Sequence, residues 1–233
     1  MKIILLLTIF ISVFSSYSNA SDCVILLHGL ARTENSFSKM EETLSDSGYV
    51  VVNNSYPSSK FEIEKLAEDA ISSSILECAD SNKIHFVTHS LGGILVRQYL
   101  SSNSIYNLGR VVMLAPPNKG SEITDNLKDN FVYKIVNGPA GLQLGTDSTS
   151  VPNKLGPADF EVGIIAGNNT VNPILSTMLP NPDDGKVSVE STKLEGMTDH
   201  IEMPVSHTFI LSDDGVISQV IHFLRKGVFK PLN

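Results

Sequence analysis

The sequence lacks the features by which nucleic-acid-binding proteins are recognised. It has no run of basic residues, and its 17 Lys and Arg side chains are outnumbered by 25 Asp and Glu side chains. Because nucleic acids and anionic membrane surfaces attract basic proteins, a formal net charge of −8 argues against both as partners. Internal repeats and linkers rich in proline or glycine are also missing from residues 21–233, so we expect one domain there.

Long apolar runs are missing as well. The longest begins after Lys2 and extends from Ile3 to Phe14, which is about 12 residues where a bilayer span needs roughly 20. One positive charge, a short apolar block and a polar stretch ending in Ser18-Asn19-Ala20 are typical of a secretory signal peptide over residues 1–20. A membrane anchor is the alternative interpretation. We expect cleavage near Ala20 and a secreted or periplasmic protein without a stable membrane span.

Cysteine is scarce, since Cys23 and Cys78 are the only two. An even number of cysteines in an exported protein favours a disulfide, whereas two unrelated small buried residues are the alternative. Without residues 1–20 the chain has 213 residues and, because Lys2 is lost, a net charge of −9. That length suits one α/β domain and is enough to bury a core without a metal or a disulfide.

Short apolar runs alternate along the chain with segments of helical period. Five such runs predict buried strands: Cys23–Leu27, Tyr49–Val52, Ile84–Val87, Val111–Leu114 and Val162–Ile165. Three segments predict helices: residues 63–78, 91–100 and 217–224, the last with its N-cap in Ser212-Asp213-Asp214. This alternation predicts an α/β protein with a mostly parallel central sheet and helices on both faces. Sheets of this type bind ligands at the carboxyl ends of their strands.

The region from Pro116 to Asp159 interrupts the alternation. It is rich in proline and glycine and has one weak helical pattern, over residues 121–134. We interpret residues 118–160 as a short cap-like insertion packed over the carboxyl edge of the sheet. The alternative is a surface loop without functional weight, although loops this long in compact domains are more often functional or mobile.

Ser90 lies between a predicted strand and a predicted helix, in Thr88-His89-Ser90-Leu91-Gly92-Gly93. A serine at such a junction is held in a tight turn that exposes its Oγ and directs the following N–H groups to the same space. Gly92 and Gly93 leave room for the helix to approach the sheet. An ordinary helix N-cap is the alternative. The pattern therefore makes Ser90 the candidate nucleophile.

Together with Leu27-His28-Gly29-Leu30, this motif resembles the bacterial lipases and esterases of the α/β-hydrolase fold. The family motif is Gly-x-Ser-x-Gly, and this chain has Thr88 at the first glycine. A β-branched residue there is expected to shift the helix slightly and to narrow the pocket. The resemblance covers most of residues 23–225 and is weakest between residues 122 and 160.

The resemblance also implies where the oxyanion would be stabilised. The donors would be the backbone N–H groups of Leu30 and Leu91, and losing one such donor typically costs about 100- to 1,000-fold in rate. His28 would brace the loop through its ring. In this family the strands that carry the two motifs are neighbours. Cys23 and Cys78 would therefore lie together at the opposite end of the sheet, which favours a structural disulfide between them.

By the same resemblance, the orienting acid and the base follow Ser90 in the order Ser, Asp, His. His207 lies on the loop before the last predicted helix, where the family has its base. The family's acid comes directly before a glycine and three residues before a valine, which corresponds to Asp184 in Asp184-Gly185-Lys186-Val187. The alternatives are His200 for the base and Asp183 or Asp199 for the acid.

These residues imply hydrolysis of acyl esters or lipids through an acyl-enzyme, as in a lipase or esterase. Neither a metal nor another cofactor is expected, since the two adjacent aspartates supply too few oxygens for calcium. A thioesterase or an acyltransferase is an alternative, because such a triad does not specify the acceptor. A catalytically silent binding protein on the same scaffold is a second alternative.

Overall fold

The computed structural model describes residues 20–232. Except for Ala20, the predicted signal peptide lies outside the described residues. Within that range no helix is both long and apolar enough to cross a membrane. The six strands found there are β1 (Cys23–Leu27), β2 (Val50–Val52), β3 (Ile84–His89), β4 (Leu108–Leu114), β5 (Val162–Gly167) and β6 (Asp199–Met203).

All six strands are parallel and form one sheet in the order β2-β1-β3-β4-β5-β6. The five predicted strands are confirmed. Strand β6 was not predicted, because three of its five residues, Asp199, His200 and Glu202, are polar. Its place at the edge of the sheet accounts for that composition, since an edge strand stays partly accessible to water.

Helices cover both faces of the sheet and the loops at its carboxyl edge. They are α1 (Ser38–Asp46), α2 (Ile63–Glu77), α3 (Leu91–Leu100), α4 (Glu122–Leu127), α5 (Phe131–Leu142), α6 (Val151–Lys154), α7 (Pro173–Ser176), α8 (Val189–Thr192) and α9 (Asp214–Lys226). A short 3-10 helix, Glu34–Phe37, precedes α1. The predicted N-cap of the last helix is confirmed, with Asp213 Oδ1 accepting from the N–H of Val216 at 2.9 Å.

Strand β1 is apolar throughout because helices cover both of its faces. In β1, Val24 and Leu26 pack with α1 and α9, whereas Ile25 and Leu27 pack with α2 and α3. All five residues of β1 are buried. The predicted arrangement of a parallel sheet with helices on both faces is confirmed, and it aligns the carboxyl ends of all six strands at one edge.

The segment between β4 and β5 contains three helices, α4, α5 and α6, where the sequence indicated one weak helical pattern. Helix α5 is kinked at Gly138, whose φ of 61° and ψ of −165° are not helical. A Cβ at Gly138 would overlap the carbonyl oxygen of Ser59. The glycine therefore lets α5 lie directly on the loop after β2, which the sequence pattern alone did not indicate.

Arg97, on α3, binds the segment between β4 and β5 near both of its ends. Its guanidinium is buried and donates to the carbonyl oxygens of Asn118, Pro152 and Gly156 at 2.9–3.1 Å, and to Asn118 Oδ1 at 3.2 Å. Burial lowers the pKa of Arg97 to about 10. Because a buried cation needs this many acceptors, the contacts fix both ends of the segment to the helix that follows Ser90.

Cys23 and Cys78 form a disulfide across 55 residues of chain. Cys23 begins β1, and Cys78 follows α2 shortly before β3. The bridge therefore lies at the amino edge of the sheet, opposite the carboxyl ends of the strands. Both the pairing and its expected location are confirmed.

Candidate active site

Ser90 occupies the turn between β3 and α3 in a backbone conformation that few residues adopt. Its φ is 51° and its ψ is −118°. Its N–H donates to the carbonyl oxygen of Leu114 at 2.9 Å, which ties the turn to β4. Backbone strain of this kind costs about 1–3 kcal/mol and is concentrated at functional sites. The turn has the conformation expected of a nucleophile at a strand–helix junction.

The two glycines after Ser90 allow α3 to pack closely on the sheet. A Cβ at Gly92 would overlap the carbonyl oxygen of Leu27 on β1, and one at Gly93 would lie 3.1 Å from Pro116 Cβ. Thr88 Oγ1 lies on the same side, 3.3 Å from that second position. Thr88 is buried beneath α3 and lies outside the cavity wall. The side chain lies against α3, and its expected effect on the helix position and on the pocket width stays a prediction.

Asp184 and His207 form a buried pair beside this turn. Asp184 Oδ2 accepts from His207 Nδ1 at 2.7 Å, and both side chains are at most 6% exposed. The other carboxylate oxygen, Oδ1, accepts the N–H groups of Lys186 and Val187 at 2.9 and 2.8 Å. The backbone also joins the two residues, since the N–H of His207 donates to the carbonyl of Asp184 at 3.0 Å. These contacts fix the imidazole with Nε2 as its remaining nitrogen.

The structure separates the alternative candidates from this pair. Asp183 accepts from Ser176 Oγ at 2.6 Å and from the N–H of Gly185 at 2.7 Å, which braces the turn without contacting His207. His200 and Asp199 lie on β6, three and four residues before its carboxyl end. His200 Nε2 bonds Thr192 Oγ1 at 2.9 Å, and Asp199 Oδ2 accepts from the N–H of Phe229 at 2.8 Å. Each is engaged elsewhere.

The loop after β1 carries the predicted oxyanion donor Leu30. Within residues 20–232, the backbone N–H groups of Leu30 and Leu91 have no hydrogen-bond acceptor in the protein. The next residue, Ala31, has a φ of 53° and donates its N–H to Ser58 Oγ at 3.1 Å. Two unengaged N–H groups on the loops that flank Ser90 are what an oxyanion hole requires.

His28 braces this loop, as expected. Its Nε2 accepts from the N–H of Tyr56 at 3.3 Å, so Nδ1 carries the proton and donates to the carbonyl oxygen of Gly29 at 2.9 Å. The rings of His28 and Tyr56 stack with their centroids 4.0 Å apart. Burial lowers the pKa of His28. A neutral, stacked imidazole holds the loop in place.

A cavity of about 320 Å³ opens over Ser90 and His207. Neither Ser90 Oγ nor His207 Nε2 has a hydrogen-bond partner within the described part of the chain. One side of the cavity is apolar and comes from the loop after β1, from the β4–β5 segment and from α7. The larger aliphatic side chains of the cavity wall are Leu30, Ile123, Leu127, Val136, Leu144, Leu175 and Val187. Its charged side chains are Arg32 and Lys186.

Two further residues hold the site together, and the sequence analysis missed both roles. His89 Nε2 bonds the carbonyl oxygen of His207 at 3.1 Å, and the two rings lie 4.6 Å apart. Complete burial lowers the pKa of His89 well below its ordinary value, so the ring is neutral and Nε2 donates. Gly167 ends β5 where a Cβ would lie 2.8 Å from Asp184 Cβ. The only sequence signal was their position next to a motif or at a strand end.

The described residues around the cavity do not form a set of metal ligands. Among residues 20–232, no group of three or more His, Cys, Asp or Glu side chains is placed to hold a metal ion.

The chain is similar in structure to several solved lipases and esterases. It is 18% identical to the mature lipase BlEst2 of Bacillus licheniformis, with a TM-score of 0.69 over 89% of this chain and 92% of that chain. For the metagenomic carboxyl esterase MGS0156, the identity is 18%, the TM-score 0.67 and the coverage 83% and 66%. For lipase B of Aspergillus fumigatus, the values are 14%, 0.63, 91% and 55%.

No protein-family model and no curated protein matches the sequence. Identities this low establish a shared fold and not a shared activity. The parallel six-stranded sheet, the helices on both of its faces and the likeness to these enzymes agree with one another. The chain has the α/β-hydrolase fold.

Proposed function

We propose that the chain is a serine hydrolase that cleaves carboxylic esters, with Ser90 as nucleophile, His207 as base and Asp184 as the acid that orients the base. The observation that carries this proposal is the buried contact of 2.7 Å between Asp184 and His207, beside a strained serine that lines the same cavity as His207. A carboxylate in this position selects the imidazole tautomer that has Nε2 available as a base.

The reaction would proceed in two halves. His207 Nε2 takes the proton of Ser90 Oγ as the oxygen attacks the acyl carbon, and the carbonyl oxygen becomes an oxyanion. The N–H groups of Leu30 and Leu91 would stabilise that charge. The imidazolium then gives its proton to the departing alkoxide, which leaves an ester on Ser90. Water attacks this acyl-enzyme with His207 again as base, releasing the carboxylic acid.

The shape of the cavity supports an acyl chain as the part of the substrate that is recognised. Helices α4 and α5 supply aliphatic side chains to its wall, and apolar contact stabilises a chain by about 0.8 kcal/mol per buried methylene. We therefore interpret residues 118–160 as a cap over the active-site edge of a single domain spanning residues 21–233. The names of the similar solved enzymes, lipase and carboxyl esterase, support an ester substrate.

We also propose that the protein is exported and loses its first twenty residues near Ala20, becoming secreted or periplasmic. The Cys23–Cys78 disulfide supports an oxidising destination. Mass spectrometry of the protein recovered from periplasm and medium tests this part directly. A chain that begins at Ser21 is expected, and one that retains Met1–Ala20 would contradict it.

Labelling with a fluorophosphonate tests the catalytic assignment. We expect stoichiometric labelling of the purified chain that is abolished in Ser90→Ala, together with hydrolysis of p-nitrophenyl esters. Tandem mass spectrometry should find the adduct on Ser90. Labelling that persists in Ser90→Ala would refute the assignment.

Ser206→Ala is a matched control, because Ser206 is buried next to the proposed base but does not line the cavity. It should label like the unsubstituted chain. A loss of labelling in both variants, with unchanged thermal unfolding, would mean that the probe reports the loop and not the nucleophile.

A further inference from the structure

Two cationic side chains line the active-site cavity. Arg32 follows the proposed oxyanion loop, and Lys186 belongs to the turn that holds Asp184. Both line the same cavity as Ser90 and His207. The chain has a net charge of −8, yet the two charged side chains that line this cavity are both positive.

Neither cation has an acidic partner at ion-pair distance in the described part of the chain. Within residues 20–232, neither Arg32 nor Lys186 forms an ion pair, and Arg32 Nη2 has only Thr208 Oγ1 at 3.4 Å. The nearby carboxylate of Asp184 is occupied by His207 and by backbone N–H groups. Desolvation and the charge of Arg32 lower the pKa of Lys186, and the charge of Asp184 opposes this shift. An anion between the two cations would relieve this repulsion.

The position of the pair indicates which part of a substrate it would meet. Lys186 and His207 also line a second cavity of about 290 Å³, whose wall includes Thr208. Both cations therefore lie beside the His207–Thr208 segment, since Arg32 Nη2 is 3.4 Å from Thr208 Oγ1. In ester hydrolysis the leaving alkoxide takes its proton from the imidazole, so the alcohol part lies on this side.

We infer that Arg32 and Lys186 form a subsite for an anionic group, a phosphate or a carboxylate, carried on the alcohol part of the ester. This inference rests on the proposed ester hydrolysis and narrows its substrate class to acyl esters with a negative charge beside the scissile bond. Such a group occurs in the headgroup of an anionic lipid and in soluble acyl esters of acidic alcohols. Charge-assisted hydrogen bonds from two cations supply the selectivity.

A matched pair of soluble substrates tests the subsite. The octanoate ester of p-nitrophenol is neutral, and the 3-carboxy-4-nitrophenyl ester of the same acid places a carboxylate on the leaving group. We expect kcat/KM to favour the anionic ester by about 10-fold or more. Arg32→Gln and Lys186→Gln should each bring the ratio of the two kcat/KM values towards one, and Arg32→Lys should retain most of it. Thermal unfolding of each variant verifies folding.

Lys60→Gln is the control for a simple change of net charge. Lys60 is exposed and lies outside the lining of both cavities, so its loss should leave the ratio unchanged. A wild-type ratio near one, or a ratio that neither cavity variant alters, would overturn the inference. Equal losses in Lys60→Gln and the cavity variants would do the same, because they would show only general attraction.

A second experiment tests whether the anionic group belongs to a lipid headgroup or to a small soluble ester. Dioctanoyl phosphatidylglycerol and dioctanoylglycerol are compared in micelles of one neutral detergent. A preference for the phospholipid that the cavity variants lose assigns the subsite to a lipid headgroup, whereas a preference seen only with the soluble pair assigns it to small esters.

Binding without turnover separates this inference from the proposed function. If no ester is hydrolysed, the proposed function fails, and the subsite is then tested with octyl phosphate against octanol. A rise in melting temperature with octyl phosphate alone, lost in Arg32→Gln, supports the subsite. No rise with octyl phosphate overturns it.

Discussion

The carboxyl and amino edges of the sheet differ in backbone strain and in the number of buried polar groups that lack a hydrogen-bond partner. The three non-glycine residues with positive φ, Ala31, Ser90 and Ala115, all follow strands at the carboxyl edge. Of the six buried side-chain atoms that lack a partner in the described chain, three belong to Thr88, His89 and Ser206, which lie within two residues of Ser90 or His207 in the sequence. Strain and unpaired groups are therefore concentrated around the candidate active site.

The amino edge shows the opposite condition. The Cys23–Cys78 disulfide lies there, and His85 Nδ1 accepts from the N–H of Arg110 at 2.7 Å. The Arg110 guanidinium in turn donates to Glu161 at 2.7 Å and to the carbonyl of Leu224 at 2.8 Å. One edge stabilises the fold and the other carries unrelieved strain, which is the division expected when function costs stability. Substitutions at the carboxyl edge should therefore mainly change activity, whereas substitutions at the amino edge should mainly change stability.

The largest effect is expected at Ser90. Ser90→Ala and Ser90→Gly should both lose about a million-fold in kcat, because neither has a nucleophile. They should differ in stability, since only glycine relieves the strained φ of 51°. We expect the glycine variant to be about 1 kcal/mol more stable than the alanine variant in urea unfolding. Equal or lower stability of the glycine variant would show that the turn stores no strain.

The adjacent aspartates give the next largest contrast. Asp184→Asn should lower kcat about 10,000-fold, because an amide favours the wrong tautomer of His207. Asp183→Asn should change kcat by less than about 10-fold and lower stability by about 1–3 kcal/mol, since Asp183 accepts only from Ser176 and Gly185. Ester hydrolysis and urea unfolding of both variants measure this. Similar losses of kcat would mean that the two carboxylates share the role.

Removing the disulfide tests the amino edge. The variant with Cys23→Ala and Cys78→Ala should lose about 4 kcal/mol of stability, because the bridge closes a loop of 55 residues in the unfolded chain. Its kcat at 25 °C should equal that of the parent, since the bridge lies opposite the cavity. Urea unfolding with and without reductant gives the first quantity. A change in kcat without a change in stability would contradict the division between the edges.

The smallest effect expected from a substitution concerns the pH dependence of stability. Burial is the main cause that lowers the pKa values of His28, His85, His89 and His200 below 6.5. Below pH 6.5 the unfolded chain therefore binds more protons than the folded one, and stability falls as pH decreases. Each histidine contributes up to about 1.4 kcal/mol per pH unit in that range.

His85→Asn should flatten this pH dependence without altering kcat, because His85 lies at the amino edge. Urea unfolding at pH 7.5 and 5.5 compares the variant with the parent. Parallel pH profiles of stability in the two proteins would argue that His85 is protonated equally in the folded and unfolded chains.

The sequence predicted those parts of the molecule in which a local pattern and the tertiary structure agree. Strands β1, β3, β4 and β5 are buried on both faces, and continuous apolar runs indicate that directly. The turn at Ser90 and the pairing of Cys23 with Cys78 followed from motifs and from the resemblance they carry. Strand β6 was not predicted because its polar residues, which an edge position tolerates, leave no continuous apolar run.

Features that depend on distant contacts were not predictable. Gly167 is small because Asp184 packs against it from another loop, and His89 supports His207 from 118 residues away. Local patterns carry no signal for such pairings, and the roles of Ser90, Asp184 and His207 remain predictions for the experiments above.

The anchoring of the β4–β5 segment by Arg97 has a consequence for protein engineering. Arg97 binds the segment only near its two ends, at Asn118 and at Pro152 and Gly156. Residues 121–149, which include the cavity-lining parts of α4 and α5, can therefore be exchanged as a cassette that keeps both attachment points, with Gly138 and Gln143 retained because they contact the loop after β2 and α2. Libraries confined to this stretch should yield altered acyl-chain preference on an unchanged sheet.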